Sequence, residues 1–139
     1  MSTRAVFRFR KDLEVHYVYK HYDGYVEGAA AALFDTLESG LAWGLPRYEP
    51  DEFAAAFIAA NKKQPGGIRL LRHVGDIPDD VAFIYDVAPA PNGQLILTAW
   101  GLDGFLARSF NPASTRKKPL FYGRLKDFIA EYVNPVAAA

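Results

Sequence analysis

The sequence predicts an α+β fold in which an antiparallel sheet of about five strands carries helices on one face. Runs of alternating apolar and polar residues, which are typical of half-buried strands, recur along the chain. Two longer segments instead space their apolar residues at helical intervals. Because the strand runs follow one another and do not alternate with helices, hairpins are expected. The predicted order is ββααβββα.

Length and composition favour one ordered domain, residues 1–139, with half of its residues hydrophobic. Sixteen basic residues balance sixteen acidic ones, so the chain lacks the basic excess typical of nonspecific nucleic-acid binding. There is no cysteine, which excludes disulfides, zinc fingers, iron–sulfur clusters and thiol catalysis. The N-terminal residues alternate charged with apolar side chains and do not resemble a signal peptide, so a cytoplasmic location is expected.

Two strands, residues 4–10 and 15–22, open the chain, and the short connection Lys11-Asp12-Leu13 predicts an antiparallel hairpin between them. Alternation assigns the side chains to two faces. An aromatic face, expected in the core, would carry Phe7, Phe9, Tyr17 and Tyr19. A charged face, expected in solvent, would carry Arg8, Arg10, Glu14, His16 and Lys20.

The remaining elements follow from spacing and from turn residues. Helices are predicted over residues 29–39, 50–62 and 121–132. Further strands are predicted over 68–74, 81–88 and 94–100, and Asn92-Gly93 favours a hairpin between the last two. Residues 104–110 are either a short edge strand or irregular. The first helix should bury one stripe of side chains, namely Ala30, Leu33, Phe34, Leu37 and Leu41.

The segment HYDGYVEG, residues 21–28, joins the second strand to the first helix. Its polar side chains, His21, Asp23, Tyr25 and Glu27, would crowd one corner that is able to bind a ligand, a metal or a partner. Turn chemistry is the alternative interpretation. Asp23-Gly24 would then form the turn, and Glu27 would cap the helix.

This segment resembles a short H-x-D-G-Y-x-E-G pattern of small uncharacterised bacterial and prophage proteins. Residues 53–62, FAAAFIAANK, and the Gly-Gly that follows extend the resemblance loosely. Those proteins often carry Pro where this chain has Val26. The resemblance implies an accessory bacterial or phage protein, and it brings neither an activity nor a role for any residue.

An enzyme is the less expected class, because phosphate-loop, nucleophile-elbow and HExxH motifs are absent from the sequence. A metal would need His21, Asp23 and His73 to converge, which requires the second and third strands to be neighbours. The acidic turn at residues 75–80 lacks the ligand spacing of an EF-hand loop. No cofactor is expected.

Three functions remain open. The first is protein–protein binding by an accessory protein that could inhibit a host defence complex. Its contact residues would be Tyr22, Asp23, Tyr25, Glu27 and Trp43. Trp43 could alternatively cover the core as a lid. The second is a metal-assisted hydrolase or small-ligand-binding protein that uses His21, Asp23 and Glu27. The third is single-strand nucleic-acid binding by tyrosines beside Arg8 and Arg10, which requires exposed rings. A homodimer is compatible with the apolar composition.

Overall fold

A computed structural model describes residues 2–133, so Met1 and residues 134–139 of the expected domain lie outside it. Within these residues the chain forms an α+β fold of six strands and three helices. The predicted α+β class is confirmed, and the sheet has one strand more than predicted. The strands are β1 (Ala5–Lys11), β2 (Glu14–Lys20), β3 (Ile68–Leu71), β4 (Phe83–Pro89), β5 (Leu95–Gly101) and β6 (Phe121–Arg124). The helices are α1 (Val26–Glu38), α2 (Pro50–Asn61) and α3 (Leu125–Tyr132).

The sheet is mixed, with the strand order β3-β2-β1-β4-β5-β6, so the prediction of a purely antiparallel sheet is wrong. β1 and β4 run parallel at its centre, and the other neighbouring strands are antiparallel. A parallel pair needs a long crossover, which here comprises β2, both long helices and β3. Local patterning cannot reveal this pairing, because the two strands are far apart in sequence.

The sixth strand is β6, in a stretch that the sequence analysis assigned to the last helix. Phe121 lies four residues before Leu125 and therefore fits the apolar spacing of α3, although its backbone pairs with Ala99 of β5. Residues 104–110 form no strand and contain a short 3₁₀ turn, Ala107–Ser109. Both edge strands, β3 and β6, are four residues long.

The β1–β2 hairpin is confirmed, but the predicted division of its side chains between two faces is wrong. Lys11 pairs with Glu14, so the loop contains two residues, where the prediction assumed three. A shift of one residue moves every side chain of a strand to the opposite face. Phe7 consequently pairs with Val18, whereas Tyr17 pairs with Arg8 on the other side of the sheet.

All three helices cover one face of the sheet and form the main core. Its centre is aromatic: the Phe57 ring of α2 lies 4.5 Å from Phe7 and 5.4 Å from Phe9, and Tyr85 of β4 lies 5.0 Å from Phe7. α1 begins at Val26, earlier than predicted, and its buried stripe is rotated. Phe34 of the predicted stripe is therefore exposed, and Leu41 is exposed because α1 ends at Glu38, before it.

The opposite face has a smaller core over only half of its area. Loops and two 3₁₀ turns, Val74–Asp76 and Ala107–Ser109, cover an apolar row formed by Tyr19, Val6, Ile84 and Trp100. The neighbouring row is polar and includes Arg8 and the buried Asp86. None of the helices among residues 2–133 has the length and apolar character needed to cross a membrane.

Candidate binding cleft

The HYDGYVEG segment forms a tight corner between β2 and α1. Asp23 adopts a left-handed backbone, with φ of 55°, which Asp tolerates better than most residues. Gly24 is buried: its N–H donates to the Thr3 carbonyl at 2.9 Å, and its carbonyl accepts a 2.6 Å hydrogen bond from the buried Tyr85 hydroxyl. The corner is therefore anchored to β1 and β4.

Both glycines of the segment are required by close approach. A Cβ atom at Gly28 would lie 2.0 Å from the Asp23 carbonyl oxygen, and one at Gly24 would lie 2.8 Å from the Ala5 Cβ. Neither position leaves room for a side chain without backbone movement. Gly24 and Gly28 of the pattern, together with the turn residue Asp23, thus have structural roles. Turn chemistry predicted a structural role for Asp23-Gly24, but the positive φ lies at Asp23, and Gly24 is required by close packing.

Four side chains of the segment border an open cleft of about 540 Å³. Tyr22, Asp23, Tyr25 and Glu27, four of the five predicted partner-binding residues, line it. β2, the end of α2 and the start of β3 complete its wall. The other lining residues are Lys20, Gly28, Ala31, Ala32, Asp35, Asn61, Lys63, Gln64, Gly67 and Ile68.

The cleft presents aromatic rings beside carboxylates. Tyr22 and Tyr25 are each 43% exposed, and the Tyr25 hydroxyl lies 3.4 Å from an Asp23 carboxylate oxygen, at the long end of hydrogen bonding. The Asp23 carboxylate, followed by partial desolvation and Glu27, raises the pKa of Tyr25 above its ordinary value. Burial lowers the pKa of Lys20, whose ammonium donates to the Tyr22 carbonyl.

α1 opens onto this cleft without a side-chain cap. Tyr25 occupies the N-cap position and makes no capping hydrogen bond, while Glu27 lies in the first helical turn. A carboxylate there favours the helix through its dipole. Glu27 is exposed, so its charge is also available to a molecule in the cleft.

His21 lies outside the lining of the cleft. Its Nδ1 atom is 2.7 Å from the Tyr19 hydroxyl and 3.3 Å from Arg4 Nε, which places the ring against the opposite face of the sheet. The side chain is half-buried and packs edge-on against the Tyr22 ring at 4.6 Å. His21 therefore links the two faces at this corner.

The structure does not bring His21 and His73 together, although β2 and β3 are neighbours. Lys20 pairs with Ile68 and Tyr17 with Leu71, so the two histidines lie beyond opposite ends of this strand pair. At about 3.4 Å per residue, the separation is roughly 20 Å. Within residues 2–133, no three His, Asp or Glu side chains form a group that could hold a metal ion.

Trp43 lies apart from the cleft, in the connection between α1 and α2. Its ring stacks under the Arg47 guanidinium at 3.5 Å, its backbone N–H donates to Glu52, and its side chain is 41% exposed. The structure therefore places four of the predicted partner-binding residues on one surface and the fifth elsewhere.

Sequence reasoning missed the far wall of the cleft, which the C-terminal end of α2 supplies. Asn61 and Lys63 come within reach of the corner only because α1 and α2 pack together; Asn61 Nδ2 donates to the Ala32 carbonyl of α1 at 3.0 Å. The one available signal was the polar run Lys62-Lys63-Gln64 directly after α2. Neither a family model, nor a curated protein, nor a solved structure matches this chain.

Proposed function

We propose that this protein is a small accessory module that acts by binding another protein at the corner cleft. One observation carries the proposal: four exposed side chains of HYDGYVEG share one surface, while Gly24, Gly28 and the Tyr85 hydrogen bond hold its backbone in place. A rigid corner that presents two tyrosines loses little conformational entropy on binding. Tyrosine is also among the residues enriched at interface hot spots.

The charge of the cleft favours a basic segment of the partner. Asp23, Glu27 and Asp35 contribute three carboxylates, against the two ammonium groups of Lys20 and Lys63. An arginine of the partner could stack on Tyr22 or Tyr25 and pair with Asp23 or Glu27, because a guanidinium combines both interactions.

The resemblance to bacterial and prophage proteins supports a partner in a bacterial host, and inhibition of a host defence complex would fit an accessory protein of this kind. A direct check is phage plating on a host that carries such a complex, with and without expression of the protein. Unchanged plating efficiency across several defence types would contradict that part of the proposal.

The docking site can be tested with a defined probe. A fluorescent oligo-arginine peptide should bind the protein, and Asp23→Asn with Tyr25→Ala should weaken binding about ten-fold or more. Asparagine tolerates the left-handed backbone at position 23, so this variant removes a charge without disturbing the turn. Tyr122→Ala, an exposed tyrosine on another surface, is the matched control.

Equal affinity of the double variant and the wild type would exclude the cleft as the site. The same variants should be used in affinity capture from a bacterial lysate. A stoichiometric partner that is lost with Tyr25→Ala but kept with Trp43→Ala would assign docking to the cleft, and the reverse result would assign it to the α1–α2 connection.

A further inference from the structure

On the face opposite the helices, a groove runs from the edge of the loop-covered apolar row across the neighbouring polar row. Two adjoining pockets of about 360 and 240 Å³ share Arg8, Asn111 and Pro112. The floor of the groove is a row of directly paired residues, one from each of five strands. In spatial order they are Tyr17, Arg8, Asp86, Thr98 and Tyr122.

The charge of this floor is positive and preorganised. The Arg10 guanidinium donates to both oxygens of Asp86, at 2.7 and 2.8 Å, and Arg8 Nη1 lies 3.3 Å from the same carboxylate. Asp86 is 6% exposed and is the one acidic residue that lines either pocket. Two guanidiniums facing one carboxylate leave one surplus positive charge, although the whole chain is neutral.

Aromatic rings lie at both ends of the row. Tyr122 is 72% exposed on edge strand β6, and Tyr17 is half-buried, with its ring 5.9 Å from the Arg8 guanidinium. Strands are about 4.8 Å apart, so the two rings are separated by roughly 19 Å across the sheet. The corrected hairpin register creates this arrangement, because it moves Tyr17 onto the arginine face.

We propose that this groove binds single-stranded nucleic acid, with a phosphate at Arg8 and Arg10 and a base stacked on Tyr122. Guanidiniums suit phosphate oxygens in both geometry and charge. Exposed rings accept any base, and sheet surfaces that carry aromatic and basic side chains bind single strands in this manner. The proposal is independent of the corner cleft, which lies on another surface.

The first test is fluorescence anisotropy with labelled single strands of about twelve nucleotides, oligo-dT and oligo-U. Tyr122→Ala should weaken binding between about five- and 150-fold, because it removes one stacked base. Tyr22→Ala, a similarly exposed tyrosine in the corner cleft, should bind like the wild type. Both arginines are kept, since removing either would take away one of the two partners of the buried Asp86.

Salt dependence and NMR give independent readouts. With about two phosphate contacts, log K should fall against log salt with a slope of roughly −1.4 for a single strand. In ¹H–¹⁵N spectra, the indole N–H signal of Trp100, which lines the groove, should shift, while that of Trp43 should not.

The absence of saturable binding up to millimolar protein would overturn the proposal. Equal affinity of the Tyr122→Ala variant would do so too, as would a shift of the Trp43 signal with Trp100 unchanged. A labelled oligo-glutamate peptide that binds as tightly as the oligonucleotides would likewise overturn it, since an acidic protein segment would then be the occupant of the groove.

Discussion

The two faces of the sheet carry opposite kinds of side chain on the same strands, and β1 shows the contrast within four residues. Phe7 and Phe9 point toward the helices, where both are fully buried among other rings. Arg8 and Arg10 point the other way and pair with Asp86. One face derives its stability from apolar area, while the other holds a charged network that is only partly covered.

If the groove binds as we propose, this difference separates folding from recognition. Three helices close the centre of the first face, so the rings of Phe7, Phe9 and Phe57 have no access to a ligand. On the second face, loops cover the row of Tyr19, Val6, Ile84 and Trp100 and stop short of Arg10 and Tyr122. Substitutions of the buried rings on the helix face should therefore alter the free energy of unfolding, whereas loss of the exposed Tyr122 ring should alter binding in the groove.

The largest expected effect is the loss of Phe57, whose ring contacts Phe7 and Phe9 at the centre of the helix face. Phe57→Ala should lower the free energy of unfolding by about 3–5 kcal/mol, through lost burial and the cavity that remains. Phe34→Ala removes an exposed ring from α1 and is the control, with an expected loss below about 1 kcal/mol. Urea denaturation measures both, and equal losses would show that the helix face is not the main core.

Alkaline pH should destabilise the protein through the helix face. Burial raises the pKa of Tyr85 and of Tyr48 well above their ordinary value. In the unfolded chain each tyrosine ionises near pH 10. The stability that depends on the neutral hydroxyls is therefore fully present below about pH 10 and is lost as the pH rises further, by up to about 1.4 kcal/mol per pH unit for each group.

Denaturation series between about pH 8 and pH 11 check this expectation. Tyr85→Phe should reduce the steepness of the decline, because phenylalanine cannot ionise. It should also cost about 1–2 kcal/mol at neutral pH, since the carbonyl of Gly24 loses its buried donor. If stability declines as steeply with pH in both Tyr85→Phe and Tyr48→Phe as in the wild type, ionisation of these two tyrosines is not the cause of the decline.

A smaller effect is expected for the charged network of the second face. Asp86→Asn should lower the free energy of unfolding by about 1–3 kcal/mol. This is less than the loss expected for a fully buried ion pair, because water can hydrate the partly exposed arginines again. Asp103→Asn breaks the exposed pair with Lys117 and should cost less than about 0.5 kcal/mol. If the two variants lose the same stability, Asp86 is not the organising charge of this face.

The smallest effect is expected at Tyr122. Because its ring is mostly exposed, Tyr122→Ala should change the free energy of unfolding by less than about 0.5 kcal/mol. A loss above about 1 kcal/mol would mean that the ring supports the sheet, and the division between folding and recognition would then fail at this strand.

Local chemistry was readable from the sequence, and long-range pairing was not. Asn92-Gly93 correctly predicted the β4–β5 hairpin, and Pro50 marked the start of α2. The alternation of β1 was also predicted correctly. Its register with β2 depends on whether two or three residues form the loop between them. That one residue determines on which face of the sheet Tyr17 and Tyr19 lie. The parallel β1–β4 pair has no local signal.

The candidate cleft was predictable on one side only. HYDGYVEG identified the corner through its own turn residues, so Tyr22, Asp23, Tyr25 and Glu27 could be placed together. The opposite wall depends on how α1 packs against α2, which sequence spacing does not encode. The groove above Asp86 was likewise hidden, because its floor takes one residue from each of five strands.

The central parallel pair also has a consequence for synthesis of the chain on the ribosome. Ala5 pairs with Phe83, which is 78 positions later. Until β4 emerges, β1 is an edge strand with unpaired backbone groups, and its Phe7 and Phe9 side chains are covered at most by the elements already made. Such an edge is a template for association with other chains, so the interval between translation of residues 11 and 89 is when this protein is most prone to aggregate.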